Sequence, residues 1–199
     1  ISKLPVSVKS VAAGQAIVSD GQRPKECCLV IEGFCVRSKT TMNGQRQILS
    51  IHIAGEVPDL QSLYMHQMDH DLVSITPCEL GFISHESLEA LIRSRPNVTA
   101  ALWRDTLIDA AIFREWIVNI GLRPAANRLA HTAVELRRRL LLAGFPVSDV
   151  FDFPLTQEQI AEALGITPVH SNRIITQLRD DNVIDIGKRQ ARVLDEAKL

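Results

Sequence analysis

The alternation of apolar and polar positions divides the chain into a strand-rich first part and a helical second part. Apolar runs separated by turn residues predict strands at Val6–Val11, Ala16–Val18, Cys28–Ile31, Phe34–Val36, Ile48–Ile53, Leu72–Ile75 and Leu80–Ile83. Asn43-Gly44 is the strongest hairpin signal, because both residues tolerate a positive φ. Many short strands with regular turns favour a β-barrel or β-roll.

Helical periodicity begins after Ser84, which can cap a helix over residues 86–94. Pro96 opens a longer helix, from about 97 to 120, whose apolar residues cover more than one face. Such a helix needs two partners, its own β-domain and the same helix of a second subunit. Asp105 and Asp109 interrupt a clean heptad pattern, so the register of this subunit seam stays open. The residues predicted at the dimer interface are Leu102, Ile108, Ile112 and Trp116.

The stretch from 155 to 178, LTQEQIAEALGITPVHSNRIITQL, has the pattern of helix, tight turn and helix. A capping-box pattern starts at Thr156, Gly165 breaks the first helix, and Thr167-Pro168 opens the second. This spacing lays one helix across the other, the arrangement in which the second helix enters a DNA major groove. An ordinary helical hairpin in a protein core is the alternative reading of the same spacing.

The outer face of the second helix favours the DNA-binding interpretation. Its side chains are short, or carry amide or guanidinium groups suited to base edges and phosphates, whereas a solvated face more often carries Glu and Lys. These residues are Val169, His170, Asn172, Arg173, Thr176 and Gln177.

The segments around this helix pair predict a hinge and a β-wing. Gly121 and Pro124 mark the hinge, residues 125–143 are predicted as a helix, and 142–153 as a loop. Apolar pairs at 183–186 and 191–194 flank Gly187-Lys188-Arg189-Gln190, which predicts two strands around a basic turn. Lys188 and Arg189 at its tip are suited to phosphate contact.

Composition and charge add little to this picture. The 199-residue chain has a net charge of −1, so any DNA affinity must come from locally placed Arg and Lys. No apolar run approaches the ~20 residues of a membrane helix, which argues against a membrane partner. Its four cysteines form no CxxC pair and are expected to be buried free thiols in a reducing cytoplasm. Because the chain begins at Ile1, we expect an N-terminal piece to be missing from it.

The arrangement resembles the superfamily of the cyclic-AMP receptor protein and the fumarate–nitrate reduction regulator. The resemblance covers nearly the whole chain and rests on LTQEQIAEALGITPVHSNRIITQLRDDNVI, GKRQARVL, IEGFCVRSKT, GEVPDLQSL and CELGFIS. It implies an α+β fold with a β-roll of cyclic-nucleotide-binding type over 1–95, a dimerisation helix over 96–120, and a winged helix-turn-helix over 121–199. It also implies a homodimeric bacterial transcription regulator that binds palindromic operator DNA and contacts RNA polymerase.

Carried over by position, Arg173 aligns with the arginine that reads guanine in such proteins, and Val169 and Asn172 with the other base-reading positions. Thr156, Gln157, Thr167 and His170 align with positions that usually contact phosphates. Many relatives have Glu where this chain has Val169, so their half-site sequence is not transferable.

The effector region departs from the family pattern. Glu56, Asp59, Leu60 and Gln61 correspond to the effector pocket, but no arginine lies between positions 46 and 93 to hold a cyclic phosphate. Pro58 removes one amide and Asp59 adds a carboxylate near the helix start, where it would repel an anion. Cyclic-AMP binding is therefore not expected, because a fold does not transfer a ligand.

No cofactor is predicted from these residues. His66 and His70 would share a helix face, as metal ligands can, but a polar surface loop is the simpler interpretation and no metal site is predicted. Iron–sulfur relatives use cysteines near the N-terminus, so a cluster stays open for a longer chain. No enzyme motif is present. The alternative to a DNA-binding regulator is a docking module whose winged helix contacts protein, and a steep salt dependence of binding would distinguish DNA binding.

Overall fold

The computed structural model describes residues 5–65 and 67–199, and it has the predicted α+β architecture of strands, a long helix and a winged helix-turn-helix. The first part contains β1 (Ser7–Val11), β2 (Ala16–Val18), β3 (Glu26–Glu32), β4 (Cys35–Thr40), β5 (Arg46–His52), a 3₁₀ helix (Leu60–Leu63), β6 (Asp71–Ser74) and β7 (Cys78–Ser84). The second contains α1 (His85–Ser94), α2 (Pro96–Leu122), α3 (Ala125–Leu142), β8 (Val150–Asp152), α4 (Gln157–Leu164), α5 (Pro168–Asp180), β9 (Ile184–Gly187) and β10 (Gln190–Val193).

The chain forms two compact units. One comprises the residues up to Gln45 together with Leu49–Glu115, and the other comprises Arg46–Ile48 and Trp116–Leu199. The division falls inside α2, so this helix supplies residues to both units. None of the helices in the described residues is long and apolar enough to cross a membrane.

Two antiparallel sheets form the β-roll, in the orders β1-β7-β3 and β2-β6-β4-β5. The apolar positions of the strands face a shared core that includes Val18, Val30, Leu72 and Leu80. Burying these side chains stabilises the roll at roughly 25 cal/mol per Å² of apolar surface. A tight turn joins β3 to β4 at Gly33, where φ is 91° and an added Cβ would lie 2.5 Å from the Pro77 carbonyl oxygen.

The β4–β5 hairpin forms where Asn43-Gly44 predicted it. Gly44 takes a positive φ, of 81°, and Asn43 does not. The Gly44 amide donates to the Thr41 carbonyl at 2.9 Å, and the Thr41 amide donates to the Gln45 carbonyl at 2.8 Å. The loop closed by Thr41 and Gln45 therefore needs a left-handed residue at Gly44 and not at Asn43.

The predicted loop over 142–153 contains a strand that the sequence pattern missed. β8 pairs with β10, with Phe151 opposite Ala191, and gives the three-stranded sheet β8-β10-β9. Three residues are too few to show a two-residue period, and the partner strand lies about 40 residues further along the chain. The wing is consequently anchored on both sides of β10.

Candidate nucleic-acid interface

The first helix of the pair, α4, starts and stops at the predicted residues. The Thr156 side chain accepts from the Gln159 amide at 3.2 Å, and the Gln159 side chain accepts from the Thr156 amide at 2.8 Å. This capping box satisfies two amides that a helix start leaves without partners. Gly165 ends α4 in the left-handed region, with φ of 66°. A residue with a Cβ would be strained there, so glycine fixes the turn that leads into α5.

The second helix, α5, has one buried face and one exposed face. Thr167 caps it by accepting from the His170 amide at 3.3 Å, and Pro168 occupies its first turn. Its inner face is buried through Ser171, Ile174, Ile175 and Leu178. All six residues of the predicted reading face are exposed, namely Val169, His170, Asn172, Arg173, Thr176 and Gln177. Thr156, Gln157 and Thr167, the predicted phosphate contacts at the helix starts, are exposed as well.

Two arginines of α5 have different surroundings. Arg179 Nε donates to Asp185 Oδ1 at 2.6 Å, which ties it to β9. Arg173 has no ion pair within the part of the chain that the structure describes. Gln177, on the same face, makes a long contact of 3.5 Å to Asp181. Arg173 and Gln177 can therefore turn their donors towards an external acceptor such as a base edge.

The wing turn holds two basic residues in an uncommon conformation. Gly187 pairs with Gln190, and the two residues between them, Lys188 and Arg189, have φ of 52° and 61°. A two-residue loop with both positions left-handed matches the twist of the strands, and Asn and Gly are its usual residues. A basic pair therefore occupies a turn whose geometry favours other residues. Strain of this kind persists where surrounding structure enforces it, and it is frequent at functional sites.

The predicted effector residues occupy the roll without forming a phosphate site. Glu56 Oε2 lies 2.8 Å from His52 Nδ1, and Gln61 Nε2 lies 3.2 Å from His70 Nε2. Leu60 packs on the apolar cluster around Leu88. Asp59 precedes the 3₁₀ helix but does not cap it, because its Oδ1 accepts from the Cys28 amide at 2.7 Å instead.

A residue that sequence reasoning missed, Arg37, fills the interior of the roll. It is 3% exposed, and its guanidinium donates to the Pro58 carbonyl through Nε and Nη2 and to Asp109 Oδ2 through Nη1. The Nη1 to Asp109 distance is 2.6 Å, and the guanidinium carbon lies 5.4 Å from the centre of the Phe113 ring. Arg37 thus connects β4 to α2 inside one unit. Its position in the polar end of a strand gave no signal of burial.

Comparison with known proteins agrees with this geometry. Residues 8–95 match the cyclic nucleotide-binding domain and residues 127–199 match the Crp-like helix-turn-helix domain. Transcriptional activator protein FnrL of Cereibacter sphaeroides is 26% identical over 198 residues, which cover 96% of this chain and 78% of the relative. Nitrogen fixation regulation protein FixK of Bradyrhizobium diazoefficiens is 24% identical and covers 94% of this chain and 78% of its own. The structure of FixK2 from Bradyrhizobium japonicum superposes with a TM-score of 0.88 at 21% identity, covering 98% of this chain and 96% of that one.

The chain belongs to the Crp/Fnr family of transcription regulators. It combines a domain of cyclic-nucleotide-binding type with a helix-turn-helix that binds DNA. The relatives that it matches are regulators and not enzymes. The resemblance inferred from the helix pair and the wing is confirmed.

The residues of this Crp/Fnr protein do not fit a cyclic nucleotide phosphate. Arg37 is already paired, and the neighbouring side chains are acidic. Burial, followed by the negative charges of Glu56 and Asp109, raises the pKa of Asp105 on α2. A further anion would meet the same repulsion.

The cysteines of this Crp/Fnr protein do not fit an iron–sulfur cluster either. All four are buried free thiols, with Cys27 and Cys28 directed into two different apolar clusters, as their alternation predicts. Burial raises the pKa of Cys27 to about 12 and raises those of Cys28 and Cys35 as well. Clusters bind thiolates, which burial disfavours. Within 5–65 and 67–199, no group of three His, Cys, Asp or Glu is arranged to hold a metal.

The segment that contains His66 and His70 takes part in separate interactions. His70 Nδ1 pairs with Asp69 Oδ1 at 2.7 Å, and Asp71 Oδ1 accepts from the Asp20 amide at 2.9 Å. His66 lies outside the described residues. These contacts make the segment part of the roll's own hydrogen-bonding network.

The helix for which the sequence predicts dimerisation, α2, has two distinct apolar faces. Leu102 packs against the α1 cluster, and Trp116 is 3% exposed, with its indole N–H donating to Glu135 at 2.7 Å. Trp116 therefore belongs to the protomer's own interior, whereas Leu102 and Ile112 are half-buried. Ile108 is exposed. Trp103, Leu107 and Ile117, spaced by four and ten residues, form an exposed stripe on another face of the helix.

Proposed function

We propose that this regulator binds palindromic operator DNA as a homodimer, with one α5 helix in the major groove of each half-site. The observation that carries the proposal is the exposed Arg173, which has no ion pair among the described residues, on a helix whose opposite face is buried. A bidentate guanidinium on guanine O6 and N7 is the commonest specific contact of this kind. Asn172 can pair with adenine, and Val169, 71% exposed, can contact a thymine methyl group.

The phosphate contacts come from the ends of the elements. Thr156, Gln157, Thr167 and His170 lie at the starts of α4 and α5, where amides and the helix dipole favour an anion. Thr176 and Gln177 extend the contact along α5. Lys188 and Arg189 reach the backbone from the wing. Contacts of this type position the protein on the duplex without selecting sequence.

Dimerisation through the exposed stripe of α2 would give the protein the twofold symmetry that a palindromic operator requires. Trp103, Leu107 and Ile117 fall on the 3-4 spacing of a coiled-coil seam. Ala100, Ala110, Arg114 and Gly121 occupy its other positions, so the seam contains one charged residue. Asp105 and Asp109, which obscured the register, fall on the other face, and Asp109 pairs there with Arg37. Two copies related by a twofold axis present two α5 helices to two half-sites.

Five further assignments complete the proposal. The regulator acts in the cytoplasm, contacts RNA polymerase at its promoters, and does not respond to cyclic AMP or cyclic GMP. Domain boundaries near 95/96 and 120/121 separate a sensor region, a dimerisation helix and a DNA-binding region. No resident cofactor is assigned to the described residues.

Selection of duplexes from a random pool, with the purified full chain, tests the proposal directly. We expect an inverted repeat with half-sites about one helical turn apart. Fluorescence anisotropy on the selected duplex and on a scrambled one should then show binding that weakens steeply with salt, with a slope of about −0.9 per phosphate neutralised. A single unrepeated half-site, or salt-independent binding, would contradict it.

A further inference from the structure

A half-buried arginine of α3, Arg128, connects the end of α2 to the helix-turn-helix. Its Nε donates to the Arg123 carbonyl, directly after the last residue of α2, at 2.8 Å. Its Nη1 donates to the carbonyl of Leu164, the last residue of α4, at 2.9 Å. All three residues lie in the compact unit that contains Trp116–Leu199. One side chain therefore joins the end of α2 to the turn between α4 and α5.

The two carbonyls lie at helix ends, where the helix itself offers no donor. The last four carbonyls of a helix have no partner within it. The residue four positions after Leu164 is Pro168, which has no N–H to give. The Arg123 carbonyl follows α2 and precedes Pro124, the N-cap residue of α3. A positive charge is favourable at the C-terminal end of a helix, and the Arg128 guanidinium lies at two such ends.

The main chain of Arg128 is held by α2 as well. Asn119, 2% exposed on α2, donates through Nδ2 to the Arg128 carbonyl at 3.3 Å, and its Oδ1 accepts from Arg123 Nη1 at 3.3 Å. Further along α3, Glu135 accepts from the indole of Trp116 on α2. The corner between α2 and α3 is thus fixed at two places, and the Arg128 side chain extends this attachment to α4.

The helix pair keeps its own shape by other interactions. α4 has its capping box and its left-handed end at Gly165, and α5 has the cap at Thr167. Buried side chains that include Ile160 and Ile174 form the inner faces of the two helices. Loss of the Arg128 side chain should therefore change how firmly the pair is held to α2, and not the reading face of α5.

We propose that Arg128 is a positioning residue that sets the half-site spacing accepted by the dimer. The inference rests on the proposed function, because spacing has a meaning only for a homodimer on a palindrome. Each base pair inserted between half-sites moves them apart by about 3.4 Å and rotates them by about a tenth of a helical turn. Two α5 helices held firmly to their α2 helices match one spacing, whereas loosely held ones accept several with less avidity at each.

A series of duplexes tests this role by fluorescence anisotropy on the full chain. The series contains the selected palindrome, versions with the central spacer one base pair shorter, one longer and two longer, and a duplex with a single half-site. Wild type should lose at least about tenfold in affinity at each altered spacer, because the second half-site is no longer engaged. Arg128→Met should vary by less than about threefold across the spacers and stay within about twofold of wild type on the single half-site.

Two further variants complete the design. Arg128→Lys keeps a positive charge at the helix ends but lacks the planar fork that reaches two carbonyls, so it should also weaken the spacing preference. It supplies the same measurement if Arg128→Met does not fold. Arg137→Met is the matched control, because Arg137 lies further along α3 and pairs with Glu196 at 2.7 Å. It should keep the wild-type preference, and circular dichroism checks the fold of each variant.

A purely structural role would change affinity for every duplex by one common factor. A weakened spacing preference with unchanged half-site affinity in a folded Arg128 variant supports the inference. Retention of the wild-type preference by the folded Arg128 variants, or an equal weakening in Arg137→Met, would overturn it. A wild-type chain that is indifferent to spacing would contradict the proposed homodimer on a palindrome and this inference with it, so the two failures are distinguished by the protein that shows them.

Discussion

At the scale of single residues, partners decide what each arginine of this chain does. Arg37 is enclosed by the Pro58 carbonyl, Asp109 and the Phe113 ring, and Arg179 is tied to Asp185. Arg173 has an exposed side chain on the face of α5 opposite to its core. The guanidinium group thus has three roles in these residues. It makes buried contacts in Arg37 and a surface ion pair in Arg179, and it is a candidate for base recognition in Arg173.

Arg173→Ala is expected to cost about 1–3 kcal/mol on the cognate duplex and to relax preference at one base pair per half-site. The physical reason is the loss of a bidentate base contact. Fluorescence anisotropy on the selected and scrambled duplexes measures it. Arg179→Ala is the control, since a surface ion pair is worth about 0–1 kcal/mol and carries no sequence information. Equal losses on both duplexes for Arg173→Ala would make this residue a phosphate contact instead.

Asp59 predicts a pH dependence of stability. Its pKa is raised from 3.8 to about 7, first by burial. Between these values the unfolded carboxyl ionises while the native one stays protonated, so the unfolded state binds fewer protons and stability falls as pH rises. Asp59→Asn removes this loss, so its thermal midpoint relative to wild type should be higher at pH 8 than at pH 5.

Thermal unfolding at both pH values measures the effect. Asp152→Asn, at an exposed position of β8, is the matched control and should show no such change between the two pH values. A constant difference between Asp59→Asn and wild type from pH 5 to pH 8 would show that the native carboxyl ionises normally.

At the scale of elements, the wing has a turn conformation that lowers the stability of the fold. The two-residue wing turn holds Lys188 and Arg189 in the left-handed region, which costs about 1–2 kcal/mol for a residue with a Cβ. Asn tolerates this conformation better, because its short side chain hydrogen-bonds locally. A basic side chain at the tip nevertheless gives the wing its reach to phosphate.

Lys188→Asn should therefore raise stability by up to about 1 kcal/mol while it weakens binding to cognate and scrambled DNA by similar factors. The salt slope should become shallower by about one per protomer. Lys188→Ala is the matched control, because it removes the charge without relieving the turn and should not gain stability. Denaturant unfolding and anisotropy at several salt concentrations measure the two effects. A loss confined to the cognate duplex would assign Lys188 to base recognition.

From the side chains inside the β-roll we predict that the protein does not respond to cyclic nucleotides. Arg37 is engaged and the groups around Asp105 are acidic, so a cyclic phosphate finds repulsion where relatives with such a site provide a cation. Titration calorimetry with cyclic AMP and cyclic GMP should show no binding in the micromolar range. Micromolar affinity for either would contradict this account of the roll.

At the scale of the whole molecule, one face of α2 packs within its own protomer and the other is available for assembly with a second copy. One face packs within its own protomer through Leu102, Asp109 and Trp116. The other exposes Trp103, Leu107 and Ile117, of which Trp103 is 65% exposed. Large exposed apolar side chains in one stripe commonly mark a protein interface.

Leu107→Arg should shift the dimer towards monomer at micromolar concentration and weaken palindrome binding, because it places two like charges across a twofold seam. Sedimentation velocity measures the assembly. Val8→Arg, at a similarly exposed apolar position on β1, is the control and should remain dimeric. A wild-type chain that sediments as a monomer under these conditions would contradict the assignment of α2.

The sequence by itself determined the features that depend on local chemistry. The capping residues Thr156 and Thr167, the break at Gly165 and the polar face of α5 have their signals within a few positions, because caps and periodicity are short-range effects. All eleven predicted DNA-contacting residues are exposed, because they lie on the outer face of α5, at the helix starts or in the wing turn. Their contacts with DNA remain predictions.

Only the tertiary structure decided the features that join distant positions. Burial of Arg37 depends on Pro58 and on Asp109, which is 72 residues away. β8 exists because β10 offers it a hydrogen-bonding edge, and the faces of α2 are assigned by what packs on Leu102 and Trp116. Asp59 resembles a helix-start residue in sequence, but the approach of β3 gives its Oδ1 the Cys28 amide as a partner instead. Long-range contacts leave no pattern in the neighbouring sequence. The interactions that hold these residues in place form only when the chain is folded.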